Sequence, residues 1–391
     1  MKLRLHFNKL VEKLEDVSTV VDDAMLDESV KNIIFKLGNK SLTLAGYNPR
    51  AICRTILDPV DVETEFEENE LPESGVIYFQ IKAKELNTFL NTFKGLKQTE
   101  ADMCEFETFN NRIRLNITEV PKDAEKEYLR QTSRWIFDTL PVKEYIIDEI
   151  NTAIDSSRLE NVASDDVLLY LSSLTPLLQN NGGDNLPSKI HFSDEYVFTV
   201  SNFATLFQNI LPDAFRGIVL TYSSISFLKK VVEKNEVIFV DKTDTHLIIR
   251  VDESEAFLRF QTKMPDHSLY VNSFKKDHAV IIDRQYFKDV LRRFTLVNEA
   301  ITFEVKPSEN VIVLSNSKST QDIPLLQTKN MESLEGAKFK LAWQILSKAI
   351  IGDDAVFSEQ LFLYILPNPK SGYTLVFSDN SGKWFSLVQV R

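Results

Sequence analysis

The stretch DRQYFKDVLRRFTLVNEAITFEVKPSENVIVL, residues 283–314, combines the two periodicities that decide the fold. In its first half, apolar residues recur every third or fourth position, which predicts one buried face of an α-helix, and Asp283 is placed to cap that helix. In its second half, apolar and polar residues alternate around a turn at 307–310, which predicts a β-hairpin. The helix face opposite the core is predicted to be exposed and basic: Arg284, Lys288 and Arg292.

The same helix-and-hairpin pattern occurs three times along the 391 residues. One further copy covers 7–47, and a split copy has its helix at 142–154 and its hairpin at 189–202. We therefore predict an α+β protein of three similar domains, in which basic helices pack on antiparallel sheets. After each copy, a short apolar strand runs straight into a second helix, at 76–97, 217–235 and 337–352.

The spacing of the copies sets the expected domain boundaries. Residues 158–188 interrupt the second copy and are predicted to be an insertion within that domain. Residues 121–134 are charged and poor in aliphatic side chains, so we predict a linker there, and the hairpin over 103–117 is expected to end its sheet at an edge. The predicted domains are 1–122, 123–265 and 266–391.

Composition and charge limit the class of protein. Hydrophobic residues make up 43% of the chain, which is enough to fill several cores. There is no run of eighteen apolar residues and no signal-peptide core at the start, which predicts a cytoplasmic protein without a membrane partner. Two cysteines, Cys53 and Cys104, do not make a disulfide framework.

The charge distribution is uneven. A formal net charge of −12 argues against a protein that binds nucleic acid over its whole surface. The helices at 82–97, 229–234 and 284–293 are nevertheless rich in lysine and arginine. Lysines on one solvated helix are ordinary, but their repetition in several equivalent helices favours a common role.

The sequence carries little sign of catalysis. Its five histidines are scattered without metal-ligand spacing, and no nucleophile elbow, zinc-binding helix motif or dinucleotide fingerprint is present. Paired acids at 165–166 and 353–354 are typical of solvated loops. We therefore predict no catalytic residue, no metal and no cofactor, with an enzyme built from loop-borne carboxylates as a remaining alternative.

Particular stretches resemble a known family. The segments DHAVIIDRQYFKDVLRRF (277–294), LVNEAITFEV (296–305), NVIVLSNS (310–317) and KFKLAWQILSKAI (338–350) follow one another as in the C-terminal domain of bacterial-type DNA polymerase sliding clamps, the beta subunits of replicative polymerases. The opening of the chain and LTLAGYNPRAI (42–52) are similar to the first domain of such clamps. A phage-encoded version would explain the divergence.

The resemblance implies a homodimeric ring of six similar domains that encloses double-stranded DNA without reading its sequence and tethers DNA polymerase and the clamp loader. A diffuse positive field on the inner helices would hold the duplex through its phosphates. The alternative is a monomeric, non-enzymatic scaffold of repeated domains. The residues expected to face DNA are Lys9, Lys13, Lys84, Lys94, Lys97, Lys229, Lys230, Lys234, Arg284, Lys288, Arg292 and Lys348.

Two contact regions follow from the same resemblance. Ring closure is expected to join two sheet edges through an apolar contact. Partner peptides are expected in a groove beside the last strand. The predicted ring interface consists of Arg112, Ile113, Leu115 and Leu296, and the predicted partner groove consists of Ile147, Phe203, Leu206, Val388, Gln389 and Val390.

Overall fold

The computed structural model describes residues 2–21, 27–38, 41–58, 61–63, 76–94, 99–109, 111–178, 188–200, 203–267, 279–294, 300–342, 359–368, 372–379 and 384–390. The chain forms two units, which are described separately. The first unit comprises Met1–Asn161 and Ile238–Arg259, and the second comprises Val162–Val237 and Phe260–Arg391. Strands and helices are numbered in chain order.

Strands that continue directly into helices organise the described part of the chain. Among the described α-helices, α3 (Glu144–Ile150) is separated from the preceding strand by a loop, and each of the others begins at the residue that follows a strand. The joined pairs are β1 (Lys2–His6) with α1 (Phe7–Ser18), β6 (Ile77–Lys82) with α2 (Ala83–Phe93), β10 (Glu160–Ala163) with α4 (Ser164–Leu174), β14 (Ile218–Thr221) with α5 (Tyr222–Lys234), and β18 (Ala279–Asp283) with α6 (Arg284–Phe294).

Two sheets lie in the first unit. One has the order β5-β1-β7-β8-β9, and the other has the order β10-β15-β16-β17-β4-β3-β2-β6. Alternating buried residues in β8 and nearly continuous burial in β2 and β3 agree with their places in these sheets. The remaining strands are β2 (Asn32–Leu37), β3 (Leu42–Asn48), β4 (Ala51–Leu57), β5 (Asp61–Glu63), β7 (Thr99–Phe109), β8 (Arg112–Pro121), β9 (Gln131–Asp138), β15 (Val237–Lys242), β16 (His246–Val251) and β17 (Ser254–Arg259).

The second unit contains one sheet in the order β14-β11-β12-β13-β25-β24-β23-β18-β21-β20-β19-β22. Helices α4 and α5 pack against each other in this unit. Its remaining strands are β11 (Lys189–Phe192), β12 (Tyr196–Val200), β13 (Phe203–Gln208), β19 (Ala300–Lys306), β20 (Val311–Ser315), β21 (Thr320–Lys329), β22 (Lys338–Ala342), β23 (Gln360–Asn368), β24 (Gly372–Ser378) and β25 (Trp384–Val390).

The element order divides into three repeats, β1–β9, β10–β17 and β18–β25. Each repeat opens with a strand that joins a helix and ends in three consecutive antiparallel strands. The first of these three pairs with the strand that opens the repeat, as β7 does with β1 and β23 does with β18. The predicted triplication and the α+β class, with helices packed on antiparallel sheets, therefore describe the fold.

The second repeat differs from its sequence prediction. A helix does form within 142–154, but α3 has only seven residues and lies in the first unit. Residues 158–188, predicted to be an insertion, contain β10 and α4, which take the positions that β1 and α1 have in the first repeat. Because two short amphipathic helices follow each other closely here, periodicity alone assigned the wrong one to the repeat.

The end of the first repeat also differs from the prediction. Strand β8 is not an edge, because β7 pairs on one side of it and β9 on the other. Part of the predicted linker at 121–134 therefore belongs to a strand. The aromatic rings of Trp135 and Phe137 in β9 contact Phe89 of α2, with centroids 5.3 and 5.5 Å apart. These contacts make β9 part of the first unit's core.

In helix α6 the predicted apolar face is buried, as expected, but two of the basic residues predicted on the opposite face are buried as well. Asp283 accepts a hydrogen bond from the Tyr286 backbone N–H at 2.7 Å, as a helix cap does. Arg284 and Lys288 are only 6% and 2% exposed, so the prediction of an exposed basic face is wrong for both. Residues spaced by three or four lie on one helix face, and both residues have this spacing from Phe287 or Leu291 in the core. Their aliphatic stems extend the apolar stripe.

Candidate interaction surfaces

The basic residues predicted to face DNA fall into three groups. Those with exposed or half-exposed side chains are Lys9, Lys84, Lys94, Lys229, Lys230, Lys234 and Arg292. Those that are buried are Lys13, Arg284 and Lys288. Lys97 and Lys348 lie outside the described residues.

Lys13 has a structural position in the first unit. It is 8% exposed, and its Nζ lies 3.4 Å from the Ser254 hydroxyl oxygen and 3.9 Å from a Glu253 carboxylate oxygen. Its spacing of three from Leu10 and of four from Val17 places Lys13 on the buried face of α1. Its charge therefore links α1 to the start of β17 and is not available to a phosphate.

Carboxylates neutralise some of the exposed basic residues. Lys94 contacts Glu15 at 2.5 Å, Lys229 contacts Glu233 at 3.6 Å, and Arg292 contacts Asp289 at 3.2 Å. Lys9, Lys84 and Lys230 are exposed and have no ion pair with any residue that the structure describes. These three lysines, one each on α1, α2 and α5, carry the clearest uncompensated charge of the helices.

Consecutive repeats join by the same strand pairing within each unit. The last strand of the second repeat, β17, pairs antiparallel with β4 of the first repeat. The last strand of the third repeat, β25, pairs antiparallel with β13 of the second. Each junction contains a hydroxyl pair across the strands: Ser254 donates to Thr55 at 3.1 Å, and Thr205 and Ser386 share a buried hydrogen bond of 3.0 Å.

The first junction face is the apolar side of the sheet around β4 and β17, and it is covered by α3. Ile146 and Ile150 of α3 are 0% and 3% exposed against it. The Arg54 guanidinium donates to the Ile150 carbonyl at 2.6 Å and also contacts Glu255 at 2.7 Å. The buried residues of this face are Val30, Ile34, Ala45, Tyr47, Ile52, Ile146, Ile150, Ile248 and Phe257.

Burial on the first junction face changes the chemistry of one tyrosine. Removal from water raises the pKa of Tyr47 to about 12, and the nearby Glu149 carboxylate acts in the same direction. The Tyr47 ring also packs edge-on against Tyr145, with centroids 6.2 Å apart. Tyr47 therefore stays neutral at physiological pH and serves as a packing residue.

The second junction face is the corresponding apolar surface around β13 and β25. In the described part of the chain, its cluster consists of strand residues only. Three aromatic or aliphatic side chains at its margin, Tyr196, Val200 and Phe362, are half-exposed. The buried residues of this face are Phe198, Ala204, Leu206, Ala279, Tyr364, Leu366, Val376 and Leu387.

Two histidines contact the second junction face. The His191 ring stacks on Phe198 with centroids 4.8 Å apart, and burial, followed by the charge of Lys189, lowers the pKa of His191 to about 4. His267 packs against the rings of Tyr196 and Phe198, with its Nε2 3.5 Å from a Glu195 oxygen. The face therefore has an aromatic, partly polar border.

Burial in each unit shows where the residues of the predicted partner groove lie. Phe203 and Val388 are directly opposite each other in adjacent strands and are 2% and 1% exposed, so they are core residues. Leu206 lies on the second junction face but is fully buried, and Ile147 is half-exposed on α3 in the first unit. The side chains of Gln389 and Val390 lie outside the described part. The alternating sequence of β25 correctly placed successive side chains on opposite faces of the sheet. It did not show that the side chains on both faces are buried.

The predicted ring interface is also corrected. Ile113 and Leu115 are 1% and 2% exposed, and their strand has neighbours on both sides. Arg112 is exposed but pairs with Asp138 of β9 at 2.8 Å. Leu296 lies outside the described residues. Among the described strands, β9 lies at one end of this sheet and pairs with β8 alone. The alternation of Trp135 and Phe137 was the sequence signal that could have identified this strand.

The described residues show no group of three or more histidine, cysteine or acidic side chains arranged to hold a metal. No helix in the described ranges is long and apolar enough to cross a membrane. Cys53 and Cys104 are both buried free thiols, and burial raises the pKa of Cys104 to about 12. Neither thiol is suited to nucleophilic chemistry.

Comparison with solved structures identifies the fold. The chain is similar to DNA polymerase III subunit beta from Pseudomonas aeruginosa, with a TM-score of 0.70, 13% identity and complete coverage of both chains. The corresponding beta subunit from Thermotoga maritima gives a TM-score of 0.72 at 10% identity over 100% of this chain and 99% of that one. The DNA polymerase sliding clamp from Bacillus subtilis gives 0.70 at 13% identity, over 100% and 99% of the two chains.

No family model matches the sequence, and no curated protein matches it. The three-dimensional similarity therefore carries the comparison. The chain has the fold of bacterial DNA polymerase III beta sliding clamps over its full length, as the sequence resemblance predicted.

Proposed function

We propose that this chain is a non-enzymatic processivity factor, a head-to-tail homodimeric ring that encloses double-stranded DNA and tethers replication proteins to it. One observation carries the proposal. Each junction joins the last strand of a repeat to the fourth strand of the preceding repeat, as β17 joins β4 and β25 joins β13. The same rule leaves two strands without a partner repeat in the chain: β9, the last strand of the first repeat, and β21, the fourth strand of the third repeat. We propose that each pairs with the other strand of a second copy.

The free edges of these two strands support this pairing. In the described part of the chain, β9 has a sheet neighbour only on its β8 side. The second half of β21, from Leu325 to Lys329, pairs with β18, whereas residues 320–324 pair only with β20 among the described strands. Pro324 has no N–H to donate, which suits an edge position in this first half. Each strand has an exposed aliphatic side chain, Ile136 and Leu326, both 51% exposed. A β9–β21 contact is heterologous, and two such contacts close a ring of two chains.

The charge pattern supports DNA as the enclosed partner. Uncompensated lysines on α1, α2 and α5 provide a diffuse field in a chain of net charge −12. Such a field attracts phosphates without selecting a sequence, and its weak contacts permit sliding. The buried Lys13, Arg284 and Lys288 are excluded from this role.

We place the partner site on the second junction face, in place of the predicted groove. Its half-exposed Tyr196, Val200 and Phe362 offer apolar contacts of the kind that accept short segments of DNA polymerase or the clamp loader. Burial of a few apolar side chains contributes about 1.5 to 3 kcal/mol each before ordering costs, which suits exchangeable partners.

The test is closure and retention on DNA. We expect light scattering to give twice the chain mass, and protein loaded on circular DNA to stay bound longer than on linear DNA. Ile136→Arg should give a folded monomer that is not retained, whereas the control Tyr128→Arg, at a site 80% exposed and outside the strand, should behave like the wild type. A wild-type monomer at all concentrations would favour the monomeric scaffold.

A further inference from the structure

We infer that Glu119 is a positioning residue that presets the edge strand β9 for pairing with a second copy of the chain; the inference rests on the proposed function. Glu119 lies in β8 and is directly opposite Gln131 of β9. It is 3% exposed, which is unusual for a carboxylate beside a sheet edge. A buried carboxylate requires hydrogen-bond donors, and β9 supplies them.

Two side chains of β9 donate to the same carboxylate. The Ser133 hydroxyl donates a short hydrogen bond to Glu119 Oε1, and the Gln131 side-chain amide donates to Oε2 at 3.1 Å. Hydrogen bonds to a charged group are stronger than those between neutral groups. Glu119 thus fixes the first half of β9, where the strand otherwise exposes Gln131, Thr132 and Arg134.

The second half of β9 is fixed differently. Trp135 and Phe137 contact Phe89, and Trp135 also lies 6.2 Å from Phe93 between ring centroids. The strand is therefore held by a polar contact near its start and by aromatic contacts near its end. Among the contacts that the described residues make, removal of this one leaves the more exposed half of β9 with its backbone pairing to β8.

Comparison with the junctions within the chain shows why this contact matters for association. In β17 and β25 a serine hydroxyl bonds to a threonine of the facing strand, and both strands have neighbours on two sides. In β9 the Ser133 hydroxyl bonds to Glu119, and the strand has one described neighbour. Holding an edge strand in its bound conformation lowers the ordering cost of association.

The test compares Glu119→Ala with Glu119→Gln and with the control Glu85→Ala, which removes an exposed ion pair with Lys82 at the start of α2, outside β9. Hydrogen exchange of amides 131–134 in dilute protein reports on strand order, and sedimentation reports on self-association. For Glu119→Ala we expect faster exchange in 131–134 and a dissociation constant raised about tenfold or more. In Glu119→Gln the amide oxygen can accept from Ser133, and the amide nitrogen can donate to Gln131 after the Gln131 amide turns. This variant should therefore recover part of each effect, whereas Glu85→Ala should change neither.

Unchanged exchange and unchanged self-association in Glu119→Ala would overturn the inference. If Glu119→Ala does not fold, Ser133→Ala and Gln131→Ala each remove one donor and should give smaller changes in the same direction; no change in either also overturns it. If the wild type never associates, the proposed ring fails, whereas the exchange measurement still decides whether Glu119 holds β9.

Discussion

The two junction faces are built from equivalent strands, and within the described residues they differ in the side chains that lie over and around them. At the first, α3 places Ile146 and Ile150 over the sheet, and Arg54 contacts the carbonyl end of that helix. At the second, the described cluster contains only strand residues and has half-exposed side chains at its margin. Within the described residues, the first face is closed by a helix and an arginine, whereas the second has half-exposed apolar side chains at its margin, and for that reason we propose the partner site on the second face.

Polar contacts strengthen the cover of the first junction face. The segment that contains α3 receives hydrogen bonds from Lys36 to Asn151 at 2.7 Å and from Arg250 to Ser156 at 3.0 Å, in addition to an ion pair of Glu149 with Arg259 at 3.6 Å. These contacts come from strands of both the first and the second repeat. The segment thus ties two repeats together.

We expect the largest change in stability from removing an α3 side chain that covers the first junction face. Ile146→Ala removes a fully buried side chain from the first junction face and should lower the free energy of unfolding by about 2–5 kcal/mol. Ile147→Ala, on the half-exposed side of the same helix, is the control and should cost less than about 1 kcal/mol. Urea unfolding measures both, and equal losses would mean that α3 does not seal this face.

A smaller effect is expected from pH at the second junction face. The pKa of His191 is about 4 in the folded chain and 6.5 when exposed, so the unfolded state binds the proton more tightly. The unfolding free energy is therefore unaffected by this group well above pH 6.5 and decreases as pH falls toward 4, by about 3 kcal/mol.

His191→Phe keeps an aromatic ring against Phe198 and removes the titration. The unfolding free energy of this variant should therefore depend less on pH between 4 and 6.5 than that of the wild type. Parallel curves for the two proteins would show that the buried imidazole does not couple the stability of this face to pH.

The smallest expected effect concerns partner binding. Phe362→Ala removes a half-exposed ring from the second junction face and should weaken binding of a polymerase-derived peptide about tenfold, or roughly 1.4 kcal/mol. Tyr145→Ala, which alters an exposed ring of the covered first face, should leave the affinity unchanged. Calorimetric titration measures both, and a larger loss in Tyr145→Ala would reverse the assignment of the two faces.

Local periodicity predicted much of the third repeat. The helix over 283–294, its Asp283 cap and the hairpin that follows are all present. The error lay in the face of the basic residues. Long basic side chains have apolar stems, so a pattern that counts Arg284 and Lys288 as polar does not show that their helical spacing places them in the core.

The interaction surfaces were harder to predict from the sequence, because they depend on which strands pair with each other in the folded chain. The residues around Ile113 alternate between apolar and polar, as in an edge strand, yet β9 pairs with this strand on its outer side. Trp135 and Phe137 alternate as well, but their polar surroundings concealed a strand whose aromatic side faces α2. Which strand is an edge depends on contacts between distant parts of the chain, and no local pattern specifies them.

The direct strand-to-helix joins have a consequence for how this chain tolerates insertions. One residue added at a join such as Asp283–Arg284 would rotate α6 by about 100° relative to its strand, because a helix turn contains about 3.6 residues. The buried Phe287 and Leu291 would then leave the core. An insertion or a deletion at one of these joins should therefore destabilise the fold more than a substitution at the same position.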